Sequence, residues 1–141
     1  MIRVYVAGPI GADDDGRADR IAAGVGAAAR LLVAGVAPFS PHLWAAAGCN
    51  ADGLANYEHW MRYDFAFLDV CDAVLRLPGV SPGADREVAR AHGRGLPVFH
   101  SEAELLAWAH DELCVDEVHG TRAAGDIAGA VVAFVEGGAK S

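Results

Sequence analysis

Four short apolar runs, each stopped by a turn former or a polar residue, constrain this chain more than any other feature. They are IRVYVA at 2–7, VAPF at 36–39, DAVLRL at 72–77 and LPVF at 96–99. None alternates apolar with polar residues over its length, so each reads as a strand covered on both faces. Segments with helical spacing separate them: RADRIAAGVGAAARLLVA at 17–34, EHWMRYDFAFLDVC at 58–71, ADREVARAHGRG at 84–95 and SEAELLAWAHDEL at 101–113. Gly35 is a natural stop for the first helix. Gly24 and Gly26 weaken it in isolation but allow close packing on a sheet. Ser101 and Glu104 form a capping box for the fourth. The stretch from Ser40 to Tyr57 holds several turn formers and no sustained period, so it reads mostly as loop. A last helix is expected over 123–137.

Strands that alternate with helices build a parallel sheet with helices on both faces. The expected fold is therefore α/β: a small doubly wound parallel sheet of four or five strands, Rossmann-like or flavodoxin-like. A chain of 141 residues suits one such domain. It is expected over residues 1–110, with residues 111–141 as an extension whose one helix packs on the domain or on a dimer interface.

Hydrophobic residues make up 53% and charged residues 21%, the balance of a folded globular chain. A net charge of −8 argues against duplex nucleic acid as a partner, which needs clustered Lys and Arg, but leaves room for a single nucleotide in a local pocket. The three cysteines are scattered, without zinc-like spacing, so reduced thiols and a cytoplasmic location are expected. The N-terminal apolar run is too short to span a membrane. Pro9 and the acids Asp13, Asp14 and Asp15 cut it off too early for a signal segment. No membrane partner is expected.

Sheets of this kind bind ligands at the carboxyl ends of their strands. That rule selects Tyr5, Gly8 and Pro9 at the first strand, Ser40, His42 and Trp44 after the second, Ser81, Gly83 and Glu87 after the third, and His100 and Ser101 after the fourth. Ser81 and Pro82 suit a helix start, and Gly83 lets a ligand approach backbone amides that attract anions. Glu87, one turn in, either complements the helix dipole or faces the ligand as a nucleophile. Asp64 lies on the helix before the third strand. It either faces solvent or borders the pocket, where desolvation would raise its pKa and suit it to general acid work. Two carboxylates around an anomeric carbon are what glycosidic cleavage generally needs. Asp69 and Asp72 have weaker claims, and Asp72 reads as a cap at the third strand's entry. Trp44 either stacks on a base or packs. The six histidines show no metal-ligand spacing, and His110, Cys114 and His119 match no zinc pattern. Neither GxGxxG nor GxxxxGK[ST] is present. No metal and no cofactor is therefore expected.

The combination VYVAGPI, the Pro-His after the second strand, W…D…L..CDAV, and LPG..SPGADREVARA…LPV resembles the nucleoside 2-deoxyribosyltransferase-like superfamily over residues 2–108. It is closest to small proteins similar to the 2′-deoxynucleoside 5′-monophosphate N-hydrolases. The resemblance implies that Glu87 attacks C1′ of the deoxyribose to form a glycosyl-enzyme intermediate. It implies that Tyr5 orients Glu87, and that Asp64 contacts substrate and helps protonate the leaving base. Ser81 and Gly83 match the loop that holds a 5′-phosphate. The transferases typically carry an acid at the position of Ser81, so serine leans towards nucleotide hydrolysis. Gly8, Pro9 and Ile10 match the first-strand exit that borders substrate. Pro9 stands where the N-hydrolases have a serine, and three acids follow, which would repel a phosphate if they faced the pocket. Arg17 replaces the missing basic residue if the loop folds back. His42 and Trp44 complete the expected substrate contacts. The resemblance also implies a homodimer or higher homo-oligomer.

Three functions follow as expectations. The first is cleavage of the N-glycosidic bond of a 2′-deoxynucleoside or its monophosphate, by hydrolysis or base transfer. The second is a binding protein that senses or sequesters such a ligand without turnover. The third is a structural α/β domain, against which the set Tyr5, Asp64 and Glu87 argues.

Overall fold

The computed structural model describes residues 1–11, 14–49 and 56–118. The elements run β1 (Arg3–Ala7), α1 (Arg17–Val33), β2 (Ala37–Phe39), α2 (His42–Ala46), α3 (Tyr57–Leu68), β3 (Ala73–Arg76), α4 (Pro82–Gly93), β4 (Val98–Phe99) and α5 (Glu102–Val118). The four strands form one sheet in the order β2-β1-β3-β4. Every neighbouring pair is parallel. The expected α/β class is thus observed, with four strands among the described residues. The helix expected over 123–137 lies outside the described residues.

Strand periodicity divides the core in two. Val4 and Val6 of β1, with Ala73 and Leu75 of β3, pack against Ala27 and Leu31 of α1 and Leu105 and Ala109 of α5. The alternate residues Tyr5, Ala7 and Val74 pack on the other face against Leu68 of α3 and Ala84 and Ala91 of α4. Each strand is covered on both faces, which is why its sequence is apolar without alternation. Full burial of Leu31, Leu75 and Leu105 contributes roughly 2 kcal/mol each from area alone.

Local signals set the element ends. After α1 the chain turns at Gly35, whose φ of +84° suits glycine. The Asn56 side chain caps α3 by accepting from the His59 amide at 2.9 Å. Ser81 caps α4 by accepting from the Ala84 amide at 3.2 Å. Pro82 fills the first helical position, as the Ser81-Pro82 start leads one to expect. Ser101 accepts from the Glu104 amide at 3.5 Å, one half of the expected capping box. Its helix runs on to Val118, past the expected end at Leu113. One expectation needs correction: residues 42–46, read as loop, form α2. The Ser40 and Pro41 carbonyls accept from the Leu43 and Trp44 amides and start a short turn that has no amphipathic period to reveal it. Asp72 holds the strand entry as expected, accepting from the Arg3 amide at 2.8 Å and from its guanidinium at 2.7 Å. Among the described residues no helix is long and apolar enough to cross a membrane.

Candidate active site

The chain leaves β1 towards β2 on one side and returns to place β3 on the other, so the topology switches between β1 and β3. Loops leaving such a point diverge and open a crevice at the strands' carboxyl ends. A cavity of about 770 Å³ lies there. Gly8, Pro9 and Ile10 from the exit of β1 line it, as do Ser81, Gly83 and Glu87 from the start of α4. Asp64, Trp60 and Tyr57 enter from α3, Trp44 from α2, and Arg17 and Arg20 from α1.

Tyr5 and Glu87 meet at the buried end. The Tyr5 hydroxyl donates to Glu87 Oε1 at 2.7 Å. Tyr5 is fully buried and Glu87 is 5% exposed. Burial pushes the Glu87 carboxyl up to about 8, and the neighbouring Asp64 adds to the rise, while the Tyr5 hydrogen bond and the Arg76 charge oppose it. Burial and the two nearby acids hold the Tyr5 phenol well above its ordinary range, so it remains a donor. Asp64 is 7% exposed, and burial pushes it up to about 7. Its Oδ1 is a buried oxygen without a hydrogen-bond partner. A group in that position usually awaits a ligand or an ordered water. Near neutral pH the two carboxyls therefore hold at least one proton between them.

Of the residues expected at the site, Glu87, Asp64, Gly8, Pro9, Ile10, Arg17, Trp44, Ser81 and Gly83 line the cavity, and Tyr5 supports Glu87 from beneath. Trp44 keeps 44% of its surface exposed at the rim, with an edge-on contact to Tyr63. A Cβ on Gly83 would meet only ordinary contacts, with the Tyr57 hydroxyl at 3.5 Å, so packing alone does not demand a glycine there. His42 is the correction. It is 1% exposed and lies behind the β1 exit loop, where its Nε2 meets the Pro9 carbonyl at 3.3 Å and its Nδ1 meets Ser40 Oγ at 3.0 Å. Its ring fills a slot in α1 left open by Gly24. That is also where this glycine's close packing is spent, on a histidine and not on the sheet.

Two arginines of α1 reach the described residues at the exit of β1. Arg17 donates to the Gly11 carbonyl at 2.5 Å. Arg20, one helical turn later, donates to the Ile10 carbonyl at 2.9 Å and to Asp14 at 2.9 Å. Sequence reasoning missed Arg20, although its spacing from Arg17 puts both on one helical face. Asp14 reaches the cavity, and the Arg20 hydrogen bond holds its carboxyl below the usual range. Asp15 is exposed and Asp13 lies outside the described residues. Asp69 is structural, gripped by Arg90 at 2.7 Å. His110 and Cys114 lie exposed on α5 with ring and sulfur 3.8 Å apart, and His119 lies outside the described residues. Among the described residues no group of three or more His, Cys, Asp and Glu could hold a metal ion.

A parallel α/β domain with two buried acids in a cavity at its topological switch point is the class that fold and site define. Residues 2–103 match a family model described as a domain of unknown function, DUF1937. The chain belongs to that family. No curated protein matches it.

Proposed function

We propose that the protein cleaves the N-glycosidic bond of a 2′-deoxynucleoside or its 5′-monophosphate, with Glu87 as nucleophile. The observation that carries this is the buried Tyr5–Glu87 hydrogen bond of 2.7 Å beside the unpartnered Asp64 carboxyl. It agrees with the likeness of the sequence to the nucleoside 2-deoxyribosyltransferase-like superfamily. Tyr5 stabilises the ionised Glu87 and leaves the second carboxylate oxygen for C1′. As the C1′–O bond forms, the C1′–N bond breaks and its electron pair goes to the base, which takes the proton from Asp64. Water, or a second base, then attacks C1′ and gives up a proton to Asp64, and the Glu87 ester is released as carboxylate. Trp44 and Trp60 supply flat surfaces for the base. Ser81, Gly83 and the α4 amides suit a 5′-phosphate. A cytoplasmic location, where free nucleotides are found, and a homo-oligomeric state belong to the same proposal.

One observation favours a binder without turnover: at the exit of β1 the cavity is lined by Pro9, which has no hydroxyl, and by the acid Asp14. The deciding experiment is chromatographic detection of base release from a panel of deoxynucleosides and monophosphates, with Glu87→Ala alongside. Release that disappears in the variant supports the enzyme. Binding without release in the unmodified protein supports the binder. A folded protein that neither binds nor cleaves any of them overturns both.

A further inference from the structure

His42 touches no part of the cavity surface, yet it joins two loops that build one wall of it. The Pro9 carbonyl can only accept, so Nε2 of His42 must carry the proton it donates at 3.3 Å. Burial lowers the His42 pKa and keeps the ring neutral, which leaves Nδ1 as an acceptor. Ser40, 1% exposed, must then donate its hydroxyl to Nδ1 at 3.0 Å. The Pro9 carbonyl thus sets the tautomer, and the Ser40 hydroxyl, which can donate or accept, complements it.

Steric constraints point the same way. A Cβ on Gly24 of α1 would lie 2.1 Å from Cγ of His42, an impossible approach. A Cβ on Gly8 would lie 3.2 Å from Cε1 of His42 and 3.0 Å from Cβ of Leu77. The ring is therefore clamped between α1 and the exit of β1. Pro9 has no amide hydrogen with which to tie itself down. Its buried carbonyl is one handle on that loop, beside the Ile10 and Gly11 carbonyls that Arg20 and Arg17 hold.

The geometry points to His42 as a positioning residue. Its neutral ring, oriented by Ser40 and seated against Gly24, holds the Gly8–Pro9–Ile10 segment that lines the cavity together with Glu87. It exchanges no proton with a ligand. The role deepens the glycosidase proposal, on which its turnover arm rests, while its loop arm does not need that chemistry.

The test compares His42→Gln, His42→Asn, His42→Phe and Gly24→Ala. Glutamine keeps an N–H near the Nε2 position, asparagine lacks that reach, and phenylalanine fills the slot without a donor. Gly24→Ala evicts the ring without touching the cavity, although alanine is the better helix former. Amide order parameters of Gly8, Ile10 and Gly11 are expected to fall to about 0.6 or below in the Asn and Phe variants and to stay rigid in the Gln variant. Nitrogen NMR of the unmodified protein should show the Nε2–H tautomer. Turnover per folded molecule is expected to drop roughly 10- to 100-fold in the Asn, Phe and Gly24→Ala variants, with both limbs of the pH profile unmoved and with recovery in His42→Gln. An Nδ1–H tautomer, or a loop as rigid in His42→Phe and His42→Asn as in the unmodified protein, overturns the inference. A loosened loop with undiminished turnover overturns it too. If the unmodified protein releases no base from any substrate, the glycosidase proposal fails and the loop measurement alone decides the role of His42.

Discussion

Tyr5 and Glu87, 82 positions apart in sequence, share a buried 2.7 Å hydrogen bond. The fold makes that bond from two simple facts. Tyr5 is the β1 residue whose pleat points to the α3–α4 face, and α4 leaves the strand next to β1. The hydroxyl is a donor to a carboxylate, so it favours the ionised form of Glu87. Tyr5→Phe is expected to raise the Glu87 pKa further and to lower turnover roughly 10- to 100-fold. Carboxyl carbon NMR of Glu87 checks the first outcome without relying on the chemistry. An unmoved titration would mean that the hydroxyl does not tune the acid.

Asp64 and Glu87 also give stability a pH dependence of defined sign. Their folded pKa values, about 7 and about 8, lie above the unfolded values of ordinary carboxylates. The unfolded chain therefore releases these protons first, and stability falls as pH rises from about 4 through 8. The paired acids Asp69 and Asp72 are lowered and work in the opposite sense, losing their contribution as pH falls below the ordinary carboxylate range. Thermal unfolding followed from pH 7 to pH 9, above the range in which the lowered His42 pKa works in the opposite sense, should show a falling melting temperature. Asp64→Asn should flatten the fall and raise the melting temperature at pH 9, while little changes at pH 5. A flat profile in the unmodified protein would contradict the burial of these two acids in neutral form.

Much of this arrangement is legible in the sequence, and the reason is local. Strand ends at Gly8-Pro9 and Pro78-Gly79, the Ser81-Pro82 helix start and the helical period of residues 17–34 each depend on neighbours in the chain. With four strands and their order of connection, the carboxyl-end rule leads directly to Tyr5, Ser81, Gly83 and Glu87. What stays hidden is non-local. The slot for His42 exists because Gly24 of another element lacks a side chain, and nothing near residue 42 announces that. Arg20 and Arg76 look like ordinary basic residues, because a long side chain does not reveal in sequence which carbonyl its guanidinium will reach. Residues 42–46 form a helix of five residues, too short to show a period.

Ser81 carries two roles that a pair of substitutions separates. Its hydroxyl caps α4, and the same residue lines the cavity. Ser81→Ala removes the cap and is expected to cost ~1 kcal/mol, a fall of roughly 4 °C in melting temperature. Ser81→Asp keeps a capping oxygen but adds a negative charge at the cavity wall. It should leave the melting temperature near that of the unmodified protein and weaken monophosphate binding about 10-fold or more relative to the nucleoside. Calorimetric titration with both ligands reads the difference. Equal weakening of the two would place the 5′-phosphate away from α4.

Arg76 ends β3 on the same sheet face as Val74 and Tyr5, and its side chain is only 10% exposed. Its guanidinium donates to the Leu77 and Gly79 carbonyls and, at 3.0 Å, to Asp85. It thereby holds the turn that leads into Ser81. Its charge also lowers the Glu87 pKa without touching that residue. Arg76→Met should leave carbonyls without donors and destabilise the fold by about 2–4 kcal/mol. It should also raise the Glu87 pKa. Arg76→Lys restores the charge but not the planar fork, so it should lose part of the stability while leaving the Glu87 titration nearly unmoved. Urea unfolding and carboxyl NMR on the two variants separate the hydrogen bonds from the field. If Met and Lys shift Glu87 equally, the order of the 77–79 turn, not the charge, is what Arg76 contributes to the acid.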